Sequence, residues 1–246
     1  MATAMSETHA KVIPVGALSA AEDTAWHEMQ AGEPRLASPL LSPAFARAVG
    51  AVRDDVRIAV YRQGERPVAF MAFHSRPGGL GRPVGTPFAD YHGVVSEPET
   101  GLTGNQLLKL AGLKAFAHNG LIDPFNLFPR PERTIESFAI ILDESVDDYL
   151  EARRAASPKK FKNYRRLKNR LAELGPLRLV ADRDQAAFDH IMAWKSAQYV
   201  RTGLQDVLRP RWTSRFMQAL FETHSGDVSG LLLSLYAGDR LVAGHF

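Results

Sequence analysis

The stretch LRLVADRDQAAFDHIMAWKSAQYVRTGLQDVLRPRWTSRFMQALFETHSGDVSGLLLSLYAGDRLVAGHF (177–246) decides how this chain reads. Leu177–Ala181 is a predicted strand, and Asp184–Thr202 and Pro210–Thr223 are predicted helices. Leu231–Tyr236 and Leu241–Phe246 then form two apolar arms around the turn Ala237–Arg240, the pattern of a hairpin. The order is strand, helix, helix, strand, strand.

Working outward, the first half opens in the same order. Val12–Val15 is a short strand. Ser19 caps a helix with Glu22 completing a capping box and Gly32 ending it. Ser42 and Pro43 start a second helix, which runs to about Val49. Arg57–Tyr61 and Pro67–His74 read as a hairpin around Gly64. Beyond it the pattern predicts a loop over PGGLGRPVGTPFADYHG (77–93) and a strand at Tyr91–Val95. A helix from Gly104 to His118 follows, then strands at Ile122–Leu127 and Phe138–Leu142. Strands and helices do not alternate one for one, which argues for an α+β fold with mixed, largely antiparallel sheets.

Between the halves, residues 145–176 read as a helical bridge. Ser157 and Pro158 start its second part, and Gly175-Pro176 ends it. Phe161, Tyr164, Leu167, Leu171 and Leu174 make one apolar stripe, expected to be buried. The resulting organisation is a tail (1–10), a first domain (11–144), the bridge (145–176) and a second domain (177–246). Phe246 falls inside an apolar strand, so the second copy is expected to be cut short after its first hairpin.

Composition narrows the chemistry. The 246 residues carry 45% hydrophobic and 23% charged residues, values of a globular protein. With no cysteine, disulfides, Cys-ligated zinc, iron–sulfur clusters and thiol catalysis are excluded. The eight histidines form no H-x-H or H-E-x-x-H pattern, so no metal site is expected. GGLGRPVG has neither a following helix nor Gly-Lys-Ser/Thr, and no G-x-S-x-G elbow is present. No apolar run approaches a membrane span, and MATAMSETHAKVIPVG has no secretory pattern, so a cytoplasmic location is expected. The net charge of +3 conceals a concentration: Glu151–Arg178 holds ten basic and two acidic residues, the rest of the chain 20 basic and 25 acidic.

The repeated order, together with the helix MAWKSAQYVRTGLQD (192–206), the hairpin LLLSLYAGDRLVAGHF (231–246) and Ala89-Asp90-Tyr91, resembles the GNAT N-acetyltransferases. The resemblance points to the CelD-like group associated with cellulose and exopolysaccharide biosynthesis, and to tandem GNAT halves like those of Fem-type transferases. It implies an enzyme taking an acyl group from acetyl-CoA or another acyl-CoA. The acceptor is an amine or hydroxyl of a small molecule or saccharide. It also implies a pyrophosphate-binding turn before a helix, whose counterpart in the first half is a degenerate Gly101-Leu102-Thr103-Gly104-Asn105, with Gly101, Gly104 and Asn105 as cofactor-binding candidates. Thr103 or Gly104 as a plain helix cap is the competing reading. On this resemblance the chain by itself is expected to have weak or no activity. A Fem-type enzyme using aminoacyl-tRNA and a non-catalytic scaffold in polysaccharide assembly are the alternatives.

Lys195 is the leading catalytic candidate, because it falls on the helical face of Phe188, Ile191, Met192 and Tyr199. There it either meets an anion, handles a proton or snorkels out. Trp194, Gln198 and Tyr199 are substrate-binding candidates beside it. His245 could face the acceptor cleft, and Asp90 could take a proton from an attacking amine with Tyr91 beside it. His74 and His92 could meet across adjacent strands. Lys159, Lys160, Lys162, Arg165 and Arg166 form a candidate anion patch for tRNA or a phospholipid surface; a merely solvated face is the competing reading.

Overall fold

The computed structural model describes residues 8–117, 119–129, 133–138, 140, 142, 145–224 and 226–246. The chain divides into two compact units, one of residues 1–133 with 207–229, the other of residues 134–206 with 230–246.

In the first unit, strand β1 (Thr8–Pro14), helices α1 (Ala20–Ala31) and α2 (Pro43–Gly50), and strands β2 (Val56–Gln63) and β3 (Arg66–Arg76) follow in order. The strands are antiparallel neighbours in the order β1-β2-β3. The local signals act as expected. Ser19 and Glu22 form a reciprocal capping box, and the Ser42 hydroxyl accepts from the Phe45 N–H at 3.1 Å. α1 buries Trp26, which stacks on Phe70 at 5.0 Å and donates its indole N–H to the Leu41 carbonyl at 3.0 Å. α2 comes so close to the turn after β1 that a Cβ on Gly50 would lie 2.2 Å from Val15 Cγ1.

Several expectations for 77–142 are corrected. The predicted loop contains strand β4 (Leu80–Pro83), turned back onto β3 by Gly78 and Gly79, both at positive φ. The predicted strand 91–95 splits into β5 (His92–Gly93) and β6 (Val95–Ser96), which join different sheets. Helix α3 (Gly104–Leu110) stops early. Gly112 adopts φ +69°, and the chain then runs into β7 (Ala115–Phe116), parallel to β4. Of the next predicted strand, Ile122–Leu127, only Ile122 is in a strand, as the end of β8 (Leu121–Ile122), paired with β5. Of Phe138–Leu142, residues 139 and 141 lie outside the described residues, and Phe138, Ile140 and Leu142 are exposed and in no strand.

In the second unit, helices α4 (Val146–Ala156) and α5 (Pro158–Ala172) precede strand β9 (Leu177–Asp182) and helix α6 (Gln185–Arg201). Strands β10 (Leu232–Ala237) and β11 (Arg240–His245) follow, in an antiparallel sheet ordered β9-β10-β11. Helix α7 (Arg211–Glu222), expected to complete this copy, packs in the first unit. Its Phe216 is buried edge-on to Phe45 at 5.9 Å, and Trp212, Met217 and Leu220 join the same core. The physical reason is the strongly one-sided apolar face of α7, which matches the exposed side of α2 and the underlying sheet. Past its end, Asp227 accepts from the His27 ring at 3.0 Å.

The bridge stripe is also corrected. Neither α4 nor α5 contains a buried residue, and Tyr164, Leu167 and Leu174 are 49%, 47% and 58% exposed.

Candidate active site

In the second unit, the Asp184 side chain accepts from the Ala186 N–H and starts α6, which buries Ala187, Phe188 and Ile191. Phe246 meets Phe188 edge-on at 5.1 Å, and a Cβ on Gly244 would fall 2.0 Å from Ile191 Cδ1. β11 therefore runs antiparallel to α6, with Gly244 and Phe246 facing the helix. Alternation along the strand puts the exposed His245 on the opposite face. The structure accordingly does not bring His245 to Lys195.

Lys195 and its helical neighbours do come together. Its ammonium lies 3.3 Å from Gln198 Oε1 and 4.9 Å from the Tyr199 ring centroid. The side chain is exposed rather than held on the buried face of the helix, as snorkelling requires. α6 outruns its buried face: beyond Ile191 the positions that share that face reach solvent. Trp194 is partly exposed and packs edge-on to His190 at 4.8 Å. The Ser196 hydroxyl is hydrogen bonded to Asp206, which ties the segment after α6 back onto the helix. Lys195, Gln198 and Tyr199 thus form an exposed donor–acceptor group on a capped, one-side-buried helix.

The first unit holds the other candidates. Asp90 and His92 line a cleft of about 410 Å³ with Arg82, Thr86 and Asn119. Tyr91 and His92 line a smaller neighbouring cavity of about 30 Å³ beside Trp26 and Phe45. At the start of α3, the N–H groups of Leu102, Thr103, Gly104 and Gln106 are used within the chain. The Thr103 side chain accepts from Gln106 N–H, Gln106 accepts from Thr103 N–H, and Leu102 N–H goes to Thr100. Gly104 N–H donates to the Leu127 carbonyl, and a Cβ on Gly104 would strike the Phe128 ring at 2.3 Å. Thr103 is a helix cap, and Gly104 is small because Phe128 covers it. The Gly104 N–H is therefore not free to meet a pyrophosphate, and no donor-binding step is assigned to Gly101, Gly104 and Asn105.

One charged network was invisible in the sequence. His74, 2% exposed, contacts Asp55 through Nδ1 at 2.9 Å, while its Nε2 accepts from Gly85 N–H at 3.2 Å. With Nε2 an acceptor, the neutral ring carries its proton on Nδ1 and donates it to Asp55. Arg53 grips Asp55 through two nitrogens and lies 4.9 Å from the Trp212 ring centroid, and Arg76 approaches at 3.3 Å. Burial pushes the His74 pKa down, against the pull of Asp55. Burial by itself would raise Asp55, but the Arg53 hydrogen bonds and His74 outweigh it and bring its pKa to about 2. This pair has the look of a base and its orienter, yet the second ring nitrogen is already occupied by Gly85. It holds β2, β3 and the 83–89 loop together. His74 and His92 lie on β3 and β5, strands of different sheets, and not on adjacent strands as expected. The spacing of Arg53, Asp55 and His74 gives no cue, because their meeting depends on β2–β3 register.

Residues 158–246 match the family model of the acetyltransferase (GNAT) domain. The acetyltransferase match takes in α5, α6, α7 and the β9–β11 sheet, and with them Lys195, Gln198 and Tyr199. Because α7 packs in the first unit, the matched span draws on both units. No match was found among curated proteins or among solved structures. Among the described residues, no group of three or more His, Asp or Glu side chains is placed to hold a metal ion.

Proposed function

We propose that this protein is a GNAT-type acyltransferase that moves an acyl group from acyl-CoA to an amine or hydroxyl acceptor. The observation that carries the reading is the acetyltransferase match over 158–246. The strand order β9-β10-β11 around α6 supports it, as does the same order β1-β2-β3 in the first unit, which favours a tandem arrangement. The acceptor heteroatom attacks the thioester carbonyl, the new C–N or C–O bond forms, the C–S bond breaks, and the acceptor proton leaves as CoA departs as a thiol. Lys195, Gln198 and Tyr199 are the acceptor-side group in this reading: an exposed ammonium, an amide and an aromatic face within one helical turn suit a polar or anionic acceptor. His245 stands on the other sheet face and has no part in that group. The finer assignment, an acceptor related to envelope polysaccharide, rests on the resemblance of 192–206 and 231–246 to the CelD-like group.

The test is titration with acetyl-CoA followed by thermal unfolding, with CoA release read by a thiol reagent against amines and sugars. The chain has no cysteine, so the thiol signal has no protein background. Saturable stabilisation, about 2.7 kcal/mol at a hundredfold excess over Kd, and thiol release are expected. Lys195→Met should lower kcat/KM at least about tenfold, as loss of one charge-assisted contact predicts. Absence of both stabilisation and thiol release returns the chain to the inactive state expected from the sequence, and sinks this reading.

A further inference from the structure

We propose that α5 docks this protein on an anionic phospholipid surface, lying in the headgroup plane with its apolar stripe toward the acyl chains. This inference is independent of the acyltransferase reading. Three observations carry it. First, PKKFKNYRRLKNRLA holds seven cations and no acid over Pro158–Ala172, a charge complement to anionic lipid. Second, the stripe that ought to be buried is not: Tyr164 and Leu167 on one face of α5, and Leu174 in the turn just past its end, are each about half exposed. Third, most of the cations flank that stripe. At about 100° per residue Lys168 lies on one edge and Arg170 and Lys159 beyond the other; Lys160 alone falls within the stripe, at its N-terminal end, where its long side chain reaches over the Tyr164 ring at 5.9 Å.

An apolar face edged by cations is the pattern of a helix that lies in an interface. Lys159, Lys160 and Lys162 at the helix start oppose its macrodipole, and a layer of phosphates removes that conflict. A nucleic acid would satisfy the cations but gain nothing from Leu167 and Leu174. The aromatic rings of α5 are also turned to each other, Phe161 edge-on to Tyr164 at 5.8 Å, rather than splayed to stack bases. The helix lies on the membrane and does not cross it. Its 15 residues span about 22 Å against the roughly 30 Å of a bilayer core, and among the described residues no helix is long and apolar enough to cross.

The experiment is flotation of the full chain with vesicles of phosphatidylcholine alone or with about 30% phosphatidylglycerol. Binding is expected only with phosphatidylglycerol, weakening as salt rises. Lys159→Glu with Lys160→Glu should weaken it more than about twentyfold, and Leu167→Ser with Leu174→Ser about tenfold. A Leu167→Trp variant should show a blue-shifted emission on phosphatidylglycerol vesicles, which reads insertion without depending on the serine pair. Three outcomes overturn the proposal: no flotation at low salt; an emission that does not shift; or binding that ignores the serine pair and is competed away by bulk tRNA. The last would assign α5 to RNA.

Discussion

β3 carries four consecutive buried residues, Val68–Met71, whereas β11 carries none, although each is the second arm of an antiparallel hairpin preceded by the same strand–helix–helix order. The first sheet is covered on both faces: α1, α2 and α7 close one, α3 the other. The second has α6 on one face, and on the other Leu179 is 67% exposed and His245 open. The same contrast runs through the helices. α1 buries Trp26 and pairs Glu22 with Arg62 at 2.7 Å, while α6 buries its first half and exposes Lys195 and Trp194 on its second. Similar element orders thus give a closed scaffold in one unit and an open sheet face in the other, and α7 belongs to the closed one.

The largest effect is expected at α7. Phe216→Ala removes a fully buried ring and should cost about 3–5 kcal/mol. Hydrogen exchange should show the loss in β2 and β3; loss confined to β10 and β11 would break the assignment of α7 to the first unit.

Next comes the polar rivet of the first unit. Asp55→Asn should cost about 3 kcal/mol by leaving Arg53 without its carboxylate. The pH dependence follows from the folded pKa values. His74 is lowered, so between 6.5 and its folded value the unfolded chain binds the extra proton, and stability falls as pH drops below 6.5. Asp55 is also lowered, so its contribution stands above 3.8 and is lost as pH falls toward about 2. Urea midpoints from pH 7 to 3 should decline in these two stages. In Asp55→Asn the stage below 3.8 should shrink, and an unchanged profile would contradict the network.

In the second unit the effects are smaller and local. Gly244→Ala drives a methyl into Ile191 and should cost about 1–3 kcal/mol, read by thermal melting. A neutral result would mean that α6 is free to lift from β11. Smallest of all, Lys195→Met should change stability by less than about 0.5 kcal/mol, since its side chain stands in solvent. A larger change would make Lys195 a packing residue and remove it from the acceptor group.

Much of the candidate site was legible because it is local. Lys195, Gln198 and Tyr199 meet through helical spacing alone, and the caps at Ser19, Ser42 and Thr103 act within three residues of themselves. What required distant partners was not legible. His245 turned away from Lys195 because strand parity, set by Gly244 against Ile191, decides its face. The Gly104 turn closed because Leu127 and Phe128 return to it from more than 20 residues away.

By itself, the sequence determined the order of the elements outside 77–142, their caps and the concentration of cations on α5, since each depends on neighbours within a few residues. The tertiary structure alone decided which unit α7 belongs to, that His74 rests on Asp55, and that the α5 stripe faces solvent. An amphipathic pattern specifies that a face is apolar, but not what covers it. That choice is made by shape and register across the whole chain.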